Sequence, residues 1–79
     1  MDALKQALDE VVFEMGRACV SFPPMLLMHE AEAVIREEMD DLTEAIRQEY
    51  KSGMDWPTPR ARKEAIQLGA MVLRFLTRM

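Results

Sequence analysis

The sequence predicts an all-α fold: a helical bundle of about three helices, completed into a larger bundle by dimerisation. Three observations lead there. Apolar residues recur at three- and four-residue spacing through three stretches, the period of an amphipathic helix rather than of a strand. Only two breaker-rich segments, "FPP" and "SGMDWPTP", interrupt them. The middle stretch is also too long for so short a chain to cover its apolar face, which points to a second copy. The 79 residues make one domain, residues 1–79. At that size a single core is marginal and oligomerisation is a common remedy.

The first helix covers residues 3–22. Leu4, Leu8, Val11, Val12, Met15, Ala18, Cys19 and Phe22 form its stripe, with polar residues mostly opposite. It stops before Pro23–Pro24, because a following proline pushes Phe22 out of the α region. Gly16 is either a weak spot or a close packing point. The middle helix starts near Pro24 or Met25, since proline is tolerated in a first turn. It runs without a breaker to about Tyr50 or Lys51, roughly 26 residues and about 39 Å. Leu27, Ala31, Val34, Ile35, Met39, Leu42, Ala45, Ile46 and Tyr50 are its apolar positions. Gly53 suits a C′ position after it. Thr58 is a good N-cap for the third helix, with Pro59 at N1. That helix carries Ala61, Ala65, Ile66, Leu68, Gly69, Val72, Leu73 and Leu76, widened by Met71 and Phe75, almost to the C-terminus. The last two helices are expected to be antiparallel neighbours.

Composition narrows the functional classes. Hydrophobic residues are 49% and charged residues 30%, a globular balance. The net charge of −4 supplies no basic footprint, so a nucleic-acid polymer is not an expected partner. One cysteine, Cys19, permits no internal disulfide and reads as a small buried hydrophobe. One Cys and one His cannot make a zinc site of the usual kind. No signal peptide is visible, and no apolar run approaches the ~20 residues of a membrane span. No membrane partner and a cytoplasmic location are the expectations.

The middle helix contains an anomaly in "AVIREEMDDLTEAI". Glu38 lies three residues after Ile35 and four before Leu42, on the stripe that should face the core. Glu37 and Asp41 are four apart beside it, and like charges at that spacing repel. A buried carboxylate without a partner protonates or finds a cation. A hard divalent ion such as Mg²⁺ takes such oxygens. The third helix offers Glu64 and, one turn on, Gln67; antiparallel packing could bring Glu64 near Glu38. Inward acids from two helices are how metal sites in bundles are built. Glu30, Glu32, Asp40, Glu44 and Glu49 read as surface charges, and Arg36 is expected to pair with Asp40.

"EEMDD", followed 22 residues later by "EAIQ", resembles the EExxE…ExxD signature of the all-α nucleoside triphosphate pyrophosphohydrolases, the MazG-like group. "IREEMDDLTEAI" and "RKEAIQLGAMVLRFL" are similar to a small, phage-type branch of it. The resemblance covers residues from about 25 to 79. It implies a helical bundle completed as a homodimer, sometimes paired into a tetramer. It also implies an enzyme that cleaves a ribo- or deoxyribonucleoside triphosphate to the monophosphate and pyrophosphate with Mg²⁺, or Mn²⁺ in its place. Carried over by position, Glu37 and Glu38 match the paired glutamates, Asp41 the third acid and Glu64 the acid opening the second half. Gln67 stands where the pattern has Asp; its amide oxygen can ligate but adds no charge. Glu38 or Glu37 would orient or deprotonate the water, and Asp41 and Glu64 would mainly ligate. The rival reading is a non-catalytic oligomerisation or regulatory module that keeps the fold.

Basic and aromatic residues could serve a nucleotide. "PRARKE" puts Arg60, Arg62 and Lys63 in the first turns of the third helix, where cations oppose the helix dipole and a phosphate would relieve them. Against that stands a solvated turn pairing with acids of the middle helix. Trp56, in the preceding loop, could stack on a base or pin the loop to the bundle. His29 reads as a surface or packing residue. The eight methionines read as filling for the core or a subunit interface.

Overall fold

A computed structural model describes residues 2–24, 26–49 and 57–78. It is all helical: α1 (Asp2–Ser21), α2 (Met28–Glu49) and α3 (Pro59–Thr77). The first helix, at 20 residues, is nearly as long as α2 with 22. α2 begins at Met28, later than the proline rule suggests. The cause is a local cap: Glu30 reaches back and accepts from the Leu27 backbone N–H at 3.0 Å, while the Leu27 carbonyl takes the first helical bond, from Ala31 N–H at 3.2 Å. That is half of a capping box, and Glu30 is therefore a cap rather than an idle surface charge. Met25, Tyr50, Lys51 and Gly53, invoked above for helix ends, lie outside the described residues.

α3 starts where the sequence puts it. Thr58 is extended (φ −66°, ψ 156°), and its hydroxyl accepts from Ala61 N–H at 3.3 Å. The same hydroxyl donates to Glu49, and Arg60 donates to Gln48, so the end of α2 is tied to the start of α3. Glu49 is thus also engaged. The helix closes on Arg78 in the left-handed region (φ 57°), its N–H bonded to the Arg74 carbonyl.

These ties make α2 and α3 antiparallel, with α3 as the central element. Glu10 meets Arg62, Val11 meets Gly69, and Ala18 meets Ala70 and Met71, so α1 runs parallel to α3. Among the described residues no Cα of α1 comes within 8 Å of one of α2. The buried Arg74 secures the α1–α2 connection by donating to the Pro23 carbonyl at 2.7 Å.

The core uses only part of the predicted stripes, and adds Ala70 to them. Its buried apolar residues are Ala18, Ala31, Ala45, Ala61, Ala70 and Met71, with Met15, Val34 and Ile35 packed partly over Ala18, Ala70 and Met71. Small residues let the helices approach closely. Leu4, Leu8 and Val12 of α1, Phe22 and Leu27 of the α1–α2 connection, Met39 and Ile46 of α2, and Val72, Phe75 and Leu76 of α3 are exposed, contrary to a core role within one chain. Cys19 is half-buried. The radius of gyration is 13.4 Å, against roughly 11.6 Å for a compact chain of this length. Three helices in a slab of 41 × 28 × 18 Å leave both faces thinly covered.

The two helical glycines have opposite surroundings. A Cβ on Gly16 would meet nothing within 4 Å, whereas one on Gly69 would sit 3.3 Å from both Val11 methyl groups. Gly16→Ala is expected to raise stability by about 1 kcal/mol, through helix propensity. Gly69→Leu should lower it by roughly 1–3 kcal/mol through overpacking. Urea unfolding of the two variants checks both signs.

Candidate metal centre

The acids on α2 are sorted by helix azimuth. At about 100° per residue, Glu38 falls on the midline between the buried Ala31 and Ala45. Asp41 lies about 60° round the helix and Glu37 about 100° round it. Accordingly Glu38 is half-buried, while Asp41 and Glu37 are exposed. Glu64 of α3, half-buried, faces Glu38 across the antiparallel pair. One carboxylate oxygen from each of Glu38, Asp41 and Glu64 lies within 4.8 Å of the others. Glu37 is outside that set.

Two oxygens in the cluster are anomalous. Glu38 Oε2 and Glu64 Oε2 are buried and have no hydrogen-bond partner. Unit charges about 4 Å apart repel by about 4 kcal/mol in a protein-surface dielectric and about 1 kcal/mol in water. Burial, first, and then the charges of Asp41, Glu64, Glu37 and Glu14 push the Glu38 carboxyl above its ordinary 4.5; every influence acts in the same direction. The donor set of clustered carboxylate oxygens, two of them orphaned, fits a hard divalent cation.

The shift in Glu38 has a consequence for stability. The unfolded chain loses this proton near 4.5 and the folded chain only at higher pH, so between the two the folded state holds more protons. Stability from this group is therefore lost as pH rises through that window and is level above it. In metal-free buffer, the stability of the wild type relative to Glu38→Gln should fall as pH climbs from about 4.5. A flat difference across pH 4–7 in parallel denaturant titrations would contradict this.

The first helix adds an acid that the sequence reading did not single out. Glu10, Glu14, Arg17 and Ser21 share one face of α1, by their i, i+4, i+7, i+11 spacing. Glu14, Arg17, Ser21, Glu38 and Gln67 line a small hollow of about 200 Å³. Glu14, Arg17 and Gln67 are also walls of a wider cleft of about 540 Å³, between α1 and the start of α3, which Arg62 and Lys63 line as well. The hollow at Glu38 and this cleft thus share Glu14, Arg17 and Gln67 as walls. That cleft is within the size of small-molecule sites. The signal for Glu14 was a polar stripe beside an apolar one, which periodicity alone assigns to solvent.

Of the basic candidates, Arg62 donates to Glu10, holding that carboxyl below its ordinary range. Arg60 turns away to Gln48 and does not line the basic cleft. Arg36 pairs with Glu32 at 3.1 Å and not with Asp40. A helical side chain leans toward the N-terminus, and an acid four residues before its cation is the favoured order. His29 lines an apolar hollow between α2 and α3, with Met28, Ile35, Met39 and Phe75. Trp56 lies outside the described residues. No helix among the described residues is long and apolar enough to cross a membrane. No family model, no curated protein and no solved structure matches the chain.

Proposed function

We propose that the chain is a Mg²⁺-dependent nucleoside triphosphate pyrophosphohydrolase that works as a homodimer or as paired dimers. One observation carries the reading: Glu38, Asp41 and Glu64 converge, with two orphaned buried oxygens, and the hollow at Glu38 runs past Glu14 and Gln67 into a cleft bearing Arg62 and Lys63. The resemblance of the acidic spacing to the MazG-like signature supports it.

In this reading Glu38, Asp41 and Glu64 hold the cation and Gln67 lines the site with a neutral amide oxygen. Bound there, the ion shields phosphate oxygens and lowers the pKa of a water. Lys63 and Arg62 meet the phosphate tail from the start of α3, where backbone dipoles also favour an anion. Water oxygen forms the new bond to the α-phosphorus, the bond to the α–β bridging oxygen breaks, and pyrophosphate leaves. The water's proton passes to Glu38 Oε2 or to the neighbouring carboxylate of Glu37. Arg60, tied to Gln48, would serve the nucleotide only at the outer end of α3.

The homodimer rests on surface chemistry. Phe75 lines two adjoining apolar hollows, one with Ile35 and Met39 and the other with Leu26, Leu27 and Leu76. A second chain laid on this α2–α3 face would cover side chains that one chain leaves in water.

The reading is tested with a panel of ribo- and deoxyribonucleoside triphosphates in Mg²⁺ or Mn²⁺, with products resolved. Monophosphate plus pyrophosphate is the expected outcome. No turnover of any nucleotide would favour the non-catalytic oligomerisation module, which the neutral Gln67 is compatible with.

A further inference from the structure

We infer that Glu14 of α1 is a fourth carboxylate of the cation site, acting at its Gln67 edge through the ion's hydration water. The inference rests on the reading of Glu38, Asp41 and Glu64 as cation ligands, and goes beyond it. The resemblance assigns nothing to the first helix.

The placement argues for it. Glu14, Glu38 and Gln67 line one hollow, and Glu14 continues into the cleft of Arg62 and Lys63. Its side chain is only 19% exposed, although it sits on an otherwise wet edge of α1. It is not among the three carboxylates that lie within 4.8 Å of one another, so it stands back from the ligand position. Mg²⁺ is held by few carboxylates and keeps several waters, each of which needs acceptors. Asp41 serves the wet side. The polar residue of α3 that lines this hollow is Gln67, which brings an acceptor but no charge. Glu14 supplies the negative charge that an acid at position 67 would have brought.

Arg17 explains how Glu14 tolerates the site without an ion. Its Nε donates to both Glu14 oxygens, at 3.2 and 3.1 Å. The Arg17 side chain is 65% exposed, so the pair is a weak surface one that can yield to a stronger cation.

The test is Mn²⁺ binding, followed by the paramagnetic resonance signal of the free ion, with no nucleotide present. Glu14→Gln preserves size and removes the charge; it should weaken Mn²⁺ binding about tenfold, as loss of an outer acceptor does. Adding Gln67→Asp to that variant should restore most of the affinity, which also shows that the protein is folded. Unchanged affinity in Glu14→Gln, with loss in Glu38→Gln, would overturn the role of Glu14 and leave the cation site standing. Weakening that Gln67→Asp does not rescue would also overturn it, since the charge would then be needed elsewhere. No Mn²⁺ binding by the wild type would remove the cation site itself, and the role of Glu14 with it.

Discussion

Glu38→Leu is expected to melt several degrees higher than the wild type in metal-free buffer while losing nucleotide turnover altogether. The stability half follows from position. Glu38 lies on the midline of the buried face of α2, and its Oε2 is buried without a donor. Replacing even a paired buried charge by apolar residues of similar volume is often neutral or stabilising by about 1–4 kcal/mol, and Glu38 Oε2 has no partner to lose. The lower end fits a half-buried group, and each kcal/mol moves the melting temperature of a domain this small by about 4–8 °C. The activity half follows from chemistry. A carboxylate that orients or deprotonates the attacking water contributes roughly 10²- to 10⁴-fold, and Leu also removes a ligand. The same variant should no longer gain thermal stability from Mn²⁺, whereas the wild type should. Calorimetry with and without Mn²⁺ separates the cases. A variant that melts lower in metal-free buffer would show that Glu38 is satisfied in the fold, and the metal reading would lose its main support.

If the α2–α3 face pairs two chains as proposed, Phe75→Glu is expected to leave the protein as single chains. Phe75 is 39% exposed within one chain and borders two apolar hollows of about 670 and 470 Å³. A glutamate there can still reach water in the isolated chain. Across a packed interface it would be desolvated without a partner, a loss typical of interface anchors at about 2–4 kcal/mol. That weakens association by roughly 30- to 1,000-fold. Sedimentation should show the wild type at twice the 9.1 kDa chain mass or a multiple of it, and the variant at the single mass. Because Leu26, Leu27, Met28, Met39 and Leu76 are exposed together in one chain, the variant should also melt lower. A wild type that sediments as a single chain at all concentrations would refute this assembly without touching the acidic cluster.

The end of the first helix and the start of the third were legible because their causes are local. Proline after Phe22 ends α1, and Thr58 followed by Pro59 starts α3; each acts within a residue or two. The start of α2 lies later than proline alone suggests, since the Glu30–Leu27 cap outweighs the permissive proline. The inward direction of Glu38 was legible from its spacing to Ile35 and Leu42. That Glu37 falls outside the cluster is also implicit in the 100° step between neighbours, though a signature of paired glutamates draws attention away from it.

Sequence by itself determined three amphipathic helices, the break after the first, the Thr58 cap of the third, and the face on which Glu38 and Asp41 lie. Periodicity is a property of one helix, so it yields a face but no neighbour. Only tertiary structure decided that α3 is central, that Glu64 meets Glu38, and that the polar edge of α1 brings Glu14 to the same hollow. It also decided which residues of each stripe are buried: the alanines of the stripes, with Met71 and the unpredicted Ala70, rather than most of the leucines, because close helix approach selects small residues at the crossings. The larger apolar residues were left outside, where one chain's packing ends.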